Sequence, residues 1–130
     1  MRKTLLPEGW VTPRGYSNGI LTEGGKAIYI GGQIGWTGQA VFESDDFVDQ
    51  LRQTLQNVHD VLSAGGAGPE HMVRMTWYIT DKKSYTDNLR LIGQVYRDIM
   101  GKNFPVMSVV QVAGLIEDRA LVEIEVTAVV

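Results

Sequence analysis

The sequence contains no cysteine and only two histidines among its 130 residues. The absence of cysteine excludes disulfide bonds, thiol nucleophiles and thiolate metal ligands. A zinc site normally needs three or four convergent ligands, so His59 and His71 indicate packing or surface histidines and not a metal centre. We therefore expect neither a resident metal nor another cofactor.

Long apolar runs and an excess of positive charge are also missing. No stretch is long enough to cross a bilayer, and residues 1–3 are not followed by an apolar run of signal-peptide length. The formal net charge is −3 and the twelve Lys and Arg residues are scattered, whereas nucleic-acid binding requires a basic surface. We expect a cytoplasmic protein with neither a membrane nor a nucleic-acid partner.

No internal repeat, low-complexity segment or linker interrupts the chain, so residues 1–130 are expected to form one domain. A chain of this length buries roughly two-thirds of its unfolded surface. It can therefore fold around a hydrophobic core without a disulfide bond or a structural metal.

Two periodicities divide the first half of the chain. The segment Ile20 to Ile30 predicts two strands joined by a tight hairpin at Gly24-Gly25, where positive φ angles are needed. Apolar residues then recur every three or four positions from Phe47 to Leu62, which predicts an amphipathic helix. Gly65-Gly66 provides the signal that ends this helix.

The second half repeats the alternation of strand and helix. Val73 to Thr80 is rich in β-branched and aromatic residues and predicts a strand. A second helix is expected to start at Ser84 and to end at Gly101. Val106 to Val112 and Leu121 to Val129 are predicted as the closing strands.

The resulting order, β-β-α-β-α-β-β, predicts an α+β fold with one mixed sheet. Strand–helix–strand connections are normally right-handed, which places both helices on the same face of the sheet. The other face is expected to carry Val, Met and Leu side chains. An exposed apolar face of that size usually marks an interface, and self-association with closed symmetry would cover it.

The closing strand carries two glutamates, Glu123 and Glu125, in an otherwise apolar segment. Alternate side chains of a strand point to opposite faces, so both carboxylates share the face opposite Val122 and Ile124. One possibility is that they are structural, either solvated or paired with arginines. The other is that they take part in chemistry. Composition alone favours the structural interpretation, because structural ion pairs are common.

The segment Gly31 to Gly38 is rich in glycine and follows a strand. It lacks the Gly-Lys-Ser/Thr sequence and the following helix of a phosphate loop. Two interpretations remain open: the glycines allow two backbones to pack closely, or exposed N–H groups at the strand end meet a ligand. No Gly-x-Ser-x-Gly motif supports a serine hydrolase.

Five segments together resemble the RidA (YjgF) family of reactive-intermediate imine and enamine deaminases, and the likeness runs over nearly the whole chain. The segments are Gly15-Tyr16-Ser17, Gly32-Gln33-Ile34, Gln53 to Ala67, Val73 to Asp81, and Val122 to Ala128. The resemblance implies a chorismate-mutase-like fold and a homotrimer whose sheets form a central barrel. It also implies ligand sites in the clefts between subunits.

The resemblance further implies a reaction. Family members with the full site hydrolyse 2-imino and 2-enamino acids to 2-keto acids and ammonia. An arginine in a Pro-Ala-Arg-Ser motif clamps the substrate carboxylate, and the first glutamate of Glu-Ile-Glu positions the attacking water. The latter position is Glu123 here, which makes Glu125 the more structural of the two carboxylates.

The chain departs from the family at the anchoring motif. It reads Pro105-Val-Met-Ser108, so Met107 stands at the arginine position and Val109 stands where a cysteine is usual. Gly93 falls where an asparagine is common. Because methionine cannot bind a carboxylate bidentately, the pocket is expected to be more apolar.

These observations predict hydrolysis of an imine or enamine that lacks the usual carboxylate anchor or holds its carboxylate elsewhere. The competing hypothesis is a non-catalytic trimer that binds a small metabolite, and ribonuclease activity is disfavoured by the net charge of −3. The partners expected are a small-molecule substrate and further copies of the chain. The predicted site consists of Glu123 as the catalytic residue and, for substrate binding, Tyr16, Gly32, Trp36, Met107 and Val109.

Overall fold

The computed structural model describes all residues from 1 to 130 and has the predicted α+β class. Four strands form one mixed sheet in the order β3-β6-β4-β5, in which only β4 and β5 are parallel. The elements are β1 (Arg2–Leu5), β2 (Gly19–Thr22), β3 (Ala27–Ile34), α1 (Phe47–Ala64), β4 (Met72–Ile79), α2 (Lys82–Thr86), α3 (Leu89–Met100), β5 (Val106–Gln111) and β6 (Val122–Val129).

The predicted hairpin between the second and third strands is wrong. β2 pairs with the N-terminal strand β1 in a separate two-stranded sheet, whereas β3 pairs with β6. Gly24 and Gly25 do have the positive φ angles expected, 70° and 84°, but the turn carries the chain from one sheet to the other. A Cβ at Gly25 would lie 2.6 Å from the carbonyl oxygen of Val130, so this turn also needs glycine for space.

The first predicted helix is confirmed as α1. Asp46 caps its N-terminus by accepting a hydrogen bond from the backbone N–H of Asp49 at 3.1 Å, and Gly65 follows its last residue. One side of the helix is fully buried, at 0% exposure, through Leu51, Leu55, Val58 and Leu62. Neither α1 nor any other helix is both long enough and apolar enough to cross a membrane.

The second predicted helix is two helices. Asp81, and not Ser84, caps α2 by accepting a hydrogen bond from the N–H of Lys83 at 3.1 Å. The chain leaves helical geometry at Asn88, just before α3 begins. The side-chain amide of Asn88 donates a hydrogen bond of 2.7 Å to the carbonyl of Ser84. Asparagine competes in this way with helix hydrogen bonds, which accounts for the break. Gly101 ends α3 with a φ of 65°, as predicted.

Both long helices pack on one face of the sheet, and their buried side chains form one core with that face. The other face, called the open face below, is not the Val, Met and Leu surface that was expected. Met72 and Met75 are fully buried on the helix side. Polar and aromatic side chains predominate on the open face: Tyr29, Thr76, Tyr78, Glu123, Glu125 and Thr127.

Candidate functional site

A β-bulge in β3 places a glycine against Glu123. The pairing of β3 with β6 shifts register between Ile30 and Gln33, where Gly31 and Gly32 of β3 lie opposite the single residue Glu125 of β6. A Cβ at Gly32 would lie 2.5 Å from a carboxylate oxygen of Glu123 and 2.6 Å from its carboxyl carbon. A larger residue here would have to displace the Glu123 carboxylate, which supports the close-packing interpretation of the glycine-rich segment.

The two glutamates of β6 have different partners. The hydroxyl of Tyr78 donates a hydrogen bond of 2.7 Å to Oε1 of Glu125, and this bond raises the pKa of the Tyr78 hydroxyl. The carboxylate of Glu123 takes part in none of the side-chain hydrogen bonds or ion pairs of the chain. Glu125 is thus engaged by its neighbour, whereas Glu123 has its hydrogen-bonding capacity available.

A second group of predicted residues lies beside β5. Tyr16, Met107 and Val109 line a pocket of about 320 Å³ between this edge strand and helices α2 and α3, called the β5 pocket below. The loop that carries Tyr16 is held in place by Ser17, whose N–H donates to the carbonyl of Pro105 at 3.1 Å. The walls are mainly apolar.

Within one chain the two groups lie on opposite faces of the sheet. Met107 is paired with Met75, whose side chain is buried under the helices, whereas Glu123 is paired with Tyr78 on the open face. Residues directly opposite each other on neighbouring strands share a face. The chain by itself therefore does not bring Glu123 and Gly32 together with Met107, Val109 and Tyr16.

Trp36 belongs to neither group. Its ring lies 5.7 Å from that of Phe42, and the guanidinium carbon of Arg119 lies 5.3 Å from the Phe42 centroid. These side chains line a separate depression at the surface. The structure thus places Trp36 against Phe42, with the two rings tilted by 47°, outside the β5 pocket.

Sequence reasoning missed six polar or aromatic residues of the β5 pocket: Arg14, Trp77, Tyr85, Tyr96, Arg97 and Phe104. One signal could have found Arg97. A glycine inside a helix costs about 1 kcal/mol relative to alanine, and a Cβ at Gly93 would lie 3.1 Å from Nη1 of Arg97. The glycine therefore leaves room for the guanidinium four residues later.

Burial also affects the tyrosines of the β5 pocket. It raises the pKa of both Tyr85 and Tyr96, so both hydroxyls are neutral at physiological pH. Tyr96 donates its hydrogen to the carbonyl of Asn103 and stacks on Phe104 at 5.7 Å. The β5 pocket contains no histidine or carboxylate, and no three His, Asp or Glu side chains cluster in the chain as metal ligands would.

The fold and these two groups of side chains define a small α+β domain with a pocket beside an edge strand. The endoribonuclease L-PSP family matches residues 11–130. The chain belongs to this family, which is also known as the RidA or YjgF family.

Relatives match over most of their length. A RutC family protein of Pyrococcus horikoshii is 31% identical over 98% of this chain and 98% of its own. The human protein named 2-iminobutanoate/2-iminopropanoate deaminase is 30% identical over 88% of this chain and 79% of its own.

Solved structures share the fold. YyfB of Yersinia pestis, a Rid family protein of unknown function, superposes with a TM-score of 0.88 at 28% identity and covers 99% of this chain and 98% of its own. Escherichia coli TdcF, solved with bound serine, has a TM-score of 0.69 at 31% identity and covers 94% of this chain and 91% of its own.

Proposed function

We propose that the protein hydrolyses a reactive imine or enamine metabolite to a carbonyl compound and ammonia, with Glu123 positioning the attacking water. The observation that carries the proposal is the contrast within β6. Glu123 has no partner and lies against a glycine, whereas Glu125 is bound by Tyr78. The names of relatives as imine deaminases, at about 30% identity, support the same reaction class.

The chemistry needs one carboxylate and water. An imine carbon is already electrophilic, so Glu123 can accept a proton as the water oxygen bonds to that carbon. Glu123 returns this proton to nitrogen, which gives a carbinolamine. The carboxylate then carries the hydroxyl proton to the amino group, so that the C–N bond breaks and ammonia leaves as the C=O bond forms. An enamine first takes a proton on its β carbon to become the imine. No electrons are gained or lost overall.

The proposal requires a neighbouring subunit. β3 and β5 are the two unpaired edges of the sheet, with the Gly32–Glu123 pair near one edge and the β5 pocket at the other. We propose a homotrimer in which the β5 pocket of one chain faces Glu123 of the next. Closed rotational symmetry brings opposite edges of identical chains together in this way.

Ammonia release from a panel of enzymatically generated imines tests the function. Glu123→Gln keeps the size of the side chain but removes its base, so we expect a loss of about a hundredfold or more in kcat/KM. Glu125→Gln is the matched control, because it makes the same change two residues further along β6, at the next position on the same face. Activity that survives in Glu123→Gln and disappears in Glu125→Gln would contradict the assignment.

A second candidate function is a trimer that binds a small metabolite without turnover. Met107 favours it, because it replaces the arginine expected at the anchoring position with an uncharged side chain. In this case calorimetry would detect tight binding of a metabolite while no member of the imine panel released ammonia. Turnover that depends on Glu123 would exclude this candidate.

A further inference from the structure

Two arginines line the β5 pocket without an acidic partner. Arg14 enters from the loop before Tyr16, and Arg97 from α3. The four ion pairs of the chain use Arg52, His71, Lys83 and Arg119 instead. Acidic residues outnumber Lys and Arg by fifteen to twelve in the sequence, yet none lines this pocket. An apolar cavity with two unpaired guanidiniums is suited to an organic anion.

Gly93 places one of these guanidiniums at the pocket. Residues four apart lie on the same face of a helix, and side chains lean toward its N-terminus. Arg97 therefore reaches back over Gly93, which itself lines the pocket, and any Cβ there would press on Nη1 at 3.1 Å. The helix thus carries a glycine at the position that the guanidinium crosses.

Trp77 forms a further aromatic wall of this pocket. Its side chain lines the cavity and is 1% exposed. The indole Nε1 has no hydrogen-bond partner, but the nitrogen atom itself is buried, so the contribution of Trp77 to the pocket is its aromatic surface. Such surface is suited to the apolar body of a ligand.

We propose that Arg97, assisted by Arg14, binds the carboxylate of the substrate in place of an arginine at position 107. This inference rests on the proposed function and names its substrate class. The apolar stretch of Met107, Val109 and Ile92 would hold a hydrocarbon or aromatic body. The substrate is thus an imine or enamine acid whose carboxylate is separated from the C–N group by an apolar body, unlike a short 2-imino acid.

Binding of stable probes tests the inference separately from turnover. The probes are 3-phenylpropanoate and its neutral amide, titrated into the intact protein by calorimetry or NMR. We expect Arg97→Gln to weaken binding of the carboxylate roughly ten- to a hundredfold and to leave binding of the amide unchanged. Arg90→Gln is the matched control, because Arg90 is an exposed residue of the same helix outside the pocket, and it should change neither affinity.

Gly93→Ala tests the inference through opposite changes in thermal stability and in carboxylate affinity. Alanine favours the helix, so thermal stability should rise while carboxylate affinity falls as the Cβ displaces the guanidinium. A purely structural role for Gly93 would give the rise in stability without the loss of affinity, and that result would overturn the placement of Arg97.

Three results would overturn the inference as a whole. They are carboxylate affinity that is unchanged in Arg97→Gln, equal losses for carboxylate and amide, and inorganic phosphate binding in preference to the carboxylate with the same dependence on Arg97. If carboxylate binding depends on Arg97 but no imine is turned over, the anchor is supported and the proposed function fails. If imines are turned over but carboxylate binding does not depend on Arg97, the proposed function is supported and the anchor fails.

Discussion

The β5 pocket and the bulge of β3 differ in the charge that they present and in the room that they leave. The pocket is a cavity of about 320 Å³ with apolar walls and two arginines. The bulge presents one carboxylate that lies where a side chain at position 32 would begin. The first region is suited to holding the body of an anionic molecule and the second to orienting a water. Since they lie on opposite faces of the sheet, the proposed reaction requires a site shared between chains.

Gly32→Ala should produce the largest effect on activity. It perturbs the bulge of β3 without replacing a charged residue. The added Cβ would overlap the carboxylate of Glu123 and displace it. A misplacement of about 1 Å can cost up to a hundredfold in rate, so kcat for ammonia release should fall by roughly that factor. Gly31→Ala is the control, because its Cβ meets nothing within 4 Å. Equal activities for the two variants would show that the position of Glu123 is not critical.

Met107→Arg should sharpen the contrast by adding an anchor to the pocket. If residue 107 occupies the anchoring position, the variant should gain roughly ten- to a hundredfold in kcat/KM toward small 2-imino acids. It should also weaken binding of the neutral amide of 3-phenylpropanoate, because a guanidinium among apolar walls is costly to desolvate where it finds no carboxylate. Steady-state kinetics and titration measure the two effects. A folded variant in which neither changes would place Met107 outside the functional pocket.

The smallest expected effect concerns the free energy of unfolding at alkaline pH and not the activity. Burial raises the pKa of Tyr96 above its ordinary value of 10.0. Its contribution to stability is therefore complete below pH 10 and is lost as the pH rises above that value, by up to about 1.4 kcal/mol per pH unit. Denaturant titrations at pH 9 to 11 should show a shallower decline for Tyr96→Phe than for Tyr29→Phe, in which the replaced tyrosine is 79% exposed. Identical declines would contradict the assigned burial.

Local signals in the sequence predicted α1, its end at Gly65 and the positive φ angles of Gly24 and Gly25. The partner of β2 was missed because strand pairing depends on residues distant in sequence, here the exposed strand β1. The break between α2 and α3 was missed because Ser84 and Asp87 resemble a helix-capping pair. Such a pair reflects the local conformational preference of a few residues. Packing decides whether the segment forms one helix or two.

The candidate site was predictable residue by residue only through the resemblance to a family. Register, which alternation alone does not specify, decides that Met107 and Glu123 face opposite sides. Trp36 follows the glycines in sequence, but it packs against Phe42 away from the β5 pocket. Gly93 was a local signal that pointed to Arg97. Its meaning became clear only from the short distance between a Cβ at Gly93 and Nη1 of Arg97.

Subunit mixing tests whether one site is built from two chains. Glu123→Gln and a variant with a filled pocket, Val109→Trp, should each be inactive alone while remaining folded and trimeric. In a cyclic trimer that contains both, one interface joins an intact pocket to an intact Glu123. Unfolding and reassembling an equal mixture should therefore restore about a quarter of the wild-type rate of ammonia release. A mixture that forms mixed trimers and stays inactive would contradict the shared site.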